Sequence, residues 1–211
     1  MEFEARQAVY SALESSYDSN TVLLHYLTPF QLLVAVALSA QTTDKQVNTI
    51  SPELFARFPD PKTLSGAQIL EVEKIIHSTG FYRTKARNIV GAARVVHQNF
   101  NDTVPSTMDE LLTIPGIGRK SAGVILHHIY GKPAIIVDTH FGRVVYRLGL
   151  TRSRNPVKIE EDIASVFPSH QWSILSMTAN LHGRAICYSR NPQCDECFLR
   201  IFCPRRGVAR G

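Results

Sequence analysis

Residues 106–128 read Ser106-Thr107-Met108-Asp109-Glu110-Leu111-Leu112-Thr113-Ile114-Pro115-Gly116-Ile117-Gly118-Arg119-Lys120-Ser121-Ala122-Gly123-Val124-Ile125-Leu126-His127-His128. Thr107 stands three residues before Glu110, the spacing of a capping box, so a short helix opens here and runs through Leu112. Ala122, Ile125, Leu126 and Ile129 recur at helical steps, so a second helix starts at about Arg119. Between them Pro115-Gly116-Ile117-Gly118 makes a tight turn, and the two helices form a hairpin. Its glycines let the backbone approach a ligand closely. The start of the second helix offers free N–H groups and a positive dipole end, which suit a phosphate. Such a hairpin holds one nucleic-acid strand without reading its bases. The same pattern also fits a plain packing corner between two helices. Two other phosphate motifs are excluded. A P-loop needs glycine before Lys120-Ser121, where Arg119 stands, and a dinucleotide fingerprint needs a third glycine and a preceding strand.

Outward from the hairpin the helical period persists. Ala86, Ile89, Val90, Ala93 and Val96 form one stripe; Ile69, Val72, Ile75 and Ile76 form another; Ile159, Ile163 and Val166 form a third. All are read as core. Breaks at Pro59-Asp60-Pro61, Pro105, Asn155-Pro156 and Pro168 space the helices at bundle-like intervals, so the expected class is all-α. Only Ala134-Ile135-Ile136-Val137 reads as a short strand. The apolar run Leu32 to Ala40 is far shorter than the roughly 20 residues a membrane helix needs, and the N-terminus shows no export signal. A cytoplasmic protein with no membrane partner is expected, and its four cysteines are not expected to pair as disulfides.

The net charge of +5 is unevenly placed: residues 1–100 carry nine basic and nine acidic residues, residues 101–211 fourteen and nine. A basic half suggests a polyanionic partner. The stretch from Lys74 to Asn101 lacks acidic residues and includes Arg83, Lys85, Arg87 and Arg94. It reads as a DNA flank or as a solvated helix face.

Lys120 falls in the first turn of the second hairpin helix, where the dipole disfavours a cation by about 0.3–1 kcal/mol. This effect is too small to yield a free amine, so a nucleophilic Lys120 would need desolvation in a pocket. A phosphate-binding lysine is the simpler role. Asp138 ends the apolar run and opens the next helix, so it reads as an N-cap. A carboxylate steadying a cationic intermediate is compatible with that position.

Cys187, Cys194, Cys197 and Cys203 are the only cysteines, spaced C-x6-C-x2-C-x5-C. Four clustered thiols argue for a metal, and the spacing leaves zinc and a [4Fe–4S] cluster both open. The metal's expected role is to fold a tail too short to hold itself. Arg184, Arg190, Arg200, Arg205 and Arg206 surround it, and Arg190 is placed to meet a phosphate.

Several further stretches stand in a fixed order with these: Leu38-Ser39-Ala40-Gln41-Thr42-Thr43-Asp44, Gly80-Phe81-Tyr82-Arg83-Thr84-Lys85-Ala86, Val137-Asp138-Thr139-His140 and Leu181-His182-Gly183-Arg184. Together with the hairpin and the cysteines they resemble the endonuclease III family of helix-hairpin-helix DNA glycosylases, from about residue 29 to Cys203. The resemblance implies two helical domains with a DNA-binding cleft between them. Residues 22–132 would form a helical barrel carrying the hairpin, and residues 1–21 with 133–211 a second domain ending in one [4Fe–4S] cluster held by the four cysteines. It implies a bifunctional glycosylase and abasic-site lyase of base excision repair. Its substrate is double-stranded DNA with damaged bases, oxidised pyrimidines above all, or abasic sites, and it consumes no external cofactor. By resemblance Lys120 is the Schiff-base nucleophile and Asp138 the catalytic carboxylate. Gln41 and Phe81 fill the gap left by the flipped base, with Phe81 where the family usually has leucine. Gly116, Gly118, Arg119, Arg83, Lys85 and Arg190 complete the expected DNA contacts. A monomer is expected, nucleoid-associated in a prokaryote.

A second departure is Ser176-Met177-Thr178-Ala179-Asn180, where the family often has a His-His-Trp segment; only a packing change is expected there. Two alternatives are a monofunctional mismatch glycosylase, which would lack Lys120, and a non-catalytic iron–sulfur DNA-binding protein, which would need neither Lys120 nor Asp138.

Overall fold

The computed structural model describes residues 2–19 and 23–208. Among them lie eleven α-helices, a single 3-10 turn at His77–Thr79 and no strand. The chain divides into two compact units, Val22–Lys132 and Met1–Thr21 with Pro133–Gly211. The first junction falls within residues 20–22, outside the described residues.

The Val22–Lys132 unit holds α2 (Pro29–Leu38), α3 (Asp44–Arg57), α4 (Pro61–Ser65), α5 (Ile69–Ile76), α6 (Tyr82–Asn99), α7 (Met108–Leu112) and α8 (Arg119–Tyr130). α2 is buried all round, as a helix with no polar face must be. Thr28 caps it by accepting the Gln31 N–H, and Pro29 sits at its first position, where a missing N–H costs nothing. α6 packs on α2, α4 and α5 through Ala86, Ile89, Val90, Ala93 and Val96, all of them buried. α8 packs on α2 and α7 through Ala122, Ile125 and Leu126. The α6 and α8 stripes read from the sequence are thus in the core of this unit; of the α5 stripe Val72 and Ile76 are buried, while Ile69 and Ile75 pack against the core half-buried.

The other unit is built from α1 (Phe3–Ser16), α9 (Thr139–Leu148), α10 (Pro156–Val166) and α11 (Ser169–Ala185). α11 packs against α9, α1 and α10, enclosing Val9, Leu13, Phe141, Val145, Ile163 and Leu175. The segment after α11 has no regular structure and sends Leu199 into this core.

The expected strand at 134–137 does not form. Ala134, Ile135 and Ile136 are buried and the segment lies alongside α11, with no neighbouring strand among the described residues. Hydroxyls on α11 take a partner strand's place. Ser173 Oγ accepts the Ala134 N–H at 3.0 Å, and Ser176 Oγ accepts the Ile136 N–H at 3.0 Å. Ser173 and Ser176 are three apart and so share a helix face, which satisfies alternate N–H groups of an extended segment.

Candidate functional site

The hairpin is formed by α7 and α8. Thr107 caps α7 by accepting the Glu110 N–H at 3.3 Å, and its hydroxyl donates to the Glu110 carboxylate at 2.6 Å. The glycines between the helices do different work. Gly116 has φ 81°, and a Cβ there would meet Asn88 Cβ at 3.0 Å, so the chain's own geometry demands glycine. Gly118, the N-cap of α8, has φ −101°, and a Cβ there would meet nothing within 4 Å. The fold does not require Gly118, and what it leaves is open approach to the first turn of α8.

A pair of substitutions separates these roles. Gly116→Ala is expected to lower stability by about 1–2 kcal/mol, from left-handed backbone strain plus contact with Asn88. Gly118→Ala is expected to change stability by less than about 1 kcal/mol yet weaken duplex binding. Thermal melts and a binding titration on both variants check this; equal binding loss without a difference in melting would contradict it.

Arg119 and Lys120 occupy the first turn of α8, and both are exposed. Packing of the chain therefore does not supply the desolvation expected for Lys120.

Asp138 is the N-cap of α9, and its Oδ1 accepts the Phe141 N–H at 2.8 Å. Its Oδ2 accepts a hydrogen bond from Asn180 Nδ2 on α11, and Asn180 Oδ1 in turn accepts from Arg184 Nε at 3.0 Å. The expectation of a mere packing change at 176–180 is therefore corrected. Asn180 is buried and holds the Asp138 carboxylate, while Ser176 binds the extended segment just before it. Beside Asp138, His140 is pushed below the usual histidine range, by burial first and then by Arg184 and Arg143, with Asp138 opposing. Its Nδ1 faces Arg143 Nη2 at 3.2 Å, the role of a neutral acceptor.

Gln41 follows α2, and Phe81 is the residue before α6; both are exposed. Arg83 is exposed, with its guanidinium over the Tyr82 ring at 5.7 Å. Lys85 does not join them at the surface, which corrects its expected DNA contact. It is only 5% exposed, and its ammonium donates to Thr79 O at 2.9 Å and to the Thr42 hydroxyl. A lysine spent on internal acceptors has no donor presented to phosphate. The basic flank read from the sequence thus contains one residue that points inward.

Cys187, Cys194, Cys197 and Cys203 are free thiols, and all four line one cavity of about 30 Å³, with Arg147, His182 and Leu199 in its wall. Among the described residues no three Cys, His, Asp or Glu side chains converge on a single metal ion. The segment after α11 forms most of the cavity wall, closed by Val144, Arg147 and Leu148 of α9 and His182 of α11. Arg143 Nε donates to Cys187 O at 2.8 Å. Arg147, buried, donates to Cys187 Sγ at 3.3 Å, Tyr188 O at 2.6 Å and Ser189 O at 3.1 Å. His182 Nε2 lies 3.5 Å from Cys197 Sγ, with its Nδ1 3.1 Å from the Tyr17 hydroxyl. Burial pushes His182 down to about 4 and pushes the Cys197 and Cys203 thiols up. The arginines noted from the sequence start at the end of α11; those that grip the first cysteine are Arg143 and Arg147, four apart on α9. Arg190 is exposed in the loop between Cys187 and Cys194.

A hairpin that offers a helix N-terminus, a capped carboxylate and a four-thiol pocket, on two helical units, defines a class. Residues 34–169 match the HhH-GPD superfamily of base excision DNA repair proteins. An endonuclease III from Synechocystis sp. is 47% identical over 193 residues, 91% of this chain and 88% of the relative. A solved non-covalent endonuclease III–DNA complex matches with TM-score 0.91 at 34% identity, covering 97% of this chain and 96% of that one. A trapped endonuclease III–DNA covalent intermediate, an estranged-adenine complex, matches with TM-score 0.92 at 34% identity, covering 97% of each chain. The chain belongs to the endonuclease III family.

Proposed function

We propose that this chain is a bifunctional DNA glycosylase and abasic-site lyase whose nucleophile is Lys120 and whose assisting carboxylate is Asp138. The observation that carries the assignment is Lys120 itself, exposed in the first turn of α8 behind the open approach at Gly118. The solved covalent intermediate between a 34% identical endonuclease III and DNA supports a covalent route.

The substrate is duplex DNA with a damaged base, an oxidised pyrimidine above all, and the enzyme acts as a monomer. Strand phosphates dock on the N–H groups at the start of α8, and the damaged nucleotide leaves the stack. The bound nucleotide then supplies the desolvation that the chain alone does not. Lys120 Nζ attacks the anomeric carbon, the bond to the base breaks, and the base leaves with a proton. The amine–sugar adduct opens to an iminium. Loss of a sugar proton then breaks the bond to the 3′ phosphate, and water releases the lysine. Asp138 balances the positive charge on the sugar and helps take the amine proton. Its hold on the Phe141 N–H and on Asn180 keeps the carboxylate oriented for that role.

The four thiols fit a [4Fe–4S] cluster. All four line one cavity, and the choice of a cluster over zinc follows the endonuclease III family to which the chain belongs. When bound, the cluster supplies cross-linking of the C-terminal segment, and no step of the reaction uses it. Arg147, which donates to Cys187 Sγ, and His182, whose Nε2 stands beside Cys197 Sγ, would flank the cluster's sulfur ligands.

The test is a paired assay of base release and strand scission on duplexes carrying thymine glycol, an abasic site or a G·T mismatch. Release and scission on the first and scission on the second are expected. Release from the mismatch without scission anywhere would favour a monofunctional glycosylase.

A further inference from the structure

Gln41 and Phe81 share a feature that the sequence does not announce. Both have left-handed backbone, with φ 55° and 48°, a region non-glycine residues enter only under strain. Phe81 is also 69% exposed, so its ring gives the folded chain little. Strain on two exposed side chains persists only when what lies behind them overdetermines it.

Behind them lies Lys85. Thr42, one residue after Gln41, donates its hydroxyl to Thr79 O at 2.5 Å, two residues before Phe81. The Lys85 ammonium donates to that same carbonyl at 2.9 Å and to the Thr42 hydroxyl, closing a ring of three groups. Thr79 is itself buried and anchored, its hydroxyl donating to Ile76 O at 2.8 Å. A second link, Gln46 Nε2 to Ser78 Oγ at 2.7 Å, joins α3 to the same turn. Burying an ammonium is costly, and burial pushes Lys85 below the ordinary lysine range. An apolar side chain would fill the space at lower cost, whereas only a long donor spans the two turns.

We propose that Lys85 is a positioning residue that clamps the Gln41 and Phe81 turns into one preformed, two-pronged edge. Resting on the glycosylase reading above, the edge is the part that enters the gap left by the extruded base. Preformed prongs need no ordering when the strand opens, which lowers the cost of the flipped state.

The test uses Lys85→Met, which keeps the length and loses the donor. In hydrogen–deuterium exchange of the free chain, amides of residues 40–42 and 79–82 are expected to exchange about tenfold faster or more, while those in the middle of α8 keep their protection. Cleavage is then compared between a duplex lesion, which must be flipped, and a single-stranded abasic site, which needs no gap filled. The duplex-to-single-strand ratio of kcat/KM is expected to fall about tenfold to a hundredfold. With 2-aminopurine opposite the lesion, its fluorescence rise on binding is expected to shrink. Should Lys85→Met fail to fold, Thr42→Val removes one corner of the ring, and smaller changes in the same directions are expected. Unchanged exchange at both turns would overturn the clamp, and so would an unchanged cleavage ratio. The exchange arm needs no substrate, so failure of the glycosylase reading, seen as a wild type inactive on both DNAs, is distinct from failure of the clamp.

Discussion

Lys120→Ala is expected to abolish strand scission at an abasic site, lowering its rate by roughly 10⁴- to 10⁶-fold, the scale of removing a nucleophile from an enzyme. Duplex binding is expected to stay within a few-fold. The two expectations separate the roles open to a lysine at the start of α8. Lys120 is exposed, so its loss leaves no cavity and the fold is expected to stand. On the proposed reading, the neighbouring N–H groups of the helix start still anchor the phosphate, together with Arg119. A phosphate-binding lysine would show the reverse pattern: binding lost with salt dependence reduced, and the chemistry of bound complexes intact. Single-turnover scission at saturating enzyme, beside a binding titration, distinguishes them.

Cys197→Ser is the second large effect, and it falls on folding. The segment after α11 has no helix or strand to support it among residues 186–208. It is held by Leu199 in the core and by Arg143 and Arg147 on its carbonyls, and on the proposed reading by the cluster on its four thiols. A serine hydroxyl is a harder and far less acidic ligand than a thiol, so the cluster is expected to be lost. Without it, buried polar groups such as His182 face an open cavity and the segment detaches. The visible absorption of the iron–sulfur centre is expected to vanish, and limited proteolysis is expected to cut after α11 while Val22–Lys132 resists. A variant that loses the absorption yet resists proteolysis and melts like the wild type would contradict a structural role.

Much of the helical framework is legible in the residues, because helix caps and core stripes are local signals. Thr107 before Glu110, Pro115 in the turn and the periodic apolar positions of α6 and α8 need no knowledge of what packs against them. The hairpin and the thiol pocket follow the same rule, since their spacing is written along the chain. What the sequence hides are side chains whose partners are distant in it. Asn180 reaches Asp138 across 42 positions, Lys85 reaches Thr42 across 43 and Arg147 reaches Cys187 across 40. Each is an ordinary polar residue on a helix until tertiary packing selects its partner. Lys85 is the clearest case: composition places it in a basic flank, and only the fold turns its ammonium inward. The expected strand at 134–137 failed for a related reason. A β-branched run declares a preference for extended backbone, and here Ser173 and Ser176 on a helix satisfied it.

The central claim is a covalent bond between Lys120 and the sugar, and borohydride trapping tests it most directly. Wild type and Lys120→Ala are each mixed with a duplex carrying thymine glycol and, separately, one carrying an abasic site, reduced, and resolved by mass. A stable protein–DNA adduct in the wild type alone, with the modified peptide mapping to Lys120, is the expected result. An adduct that persists in Lys120→Ala, or no adduct from a wild type that still releases bases, would contradict it.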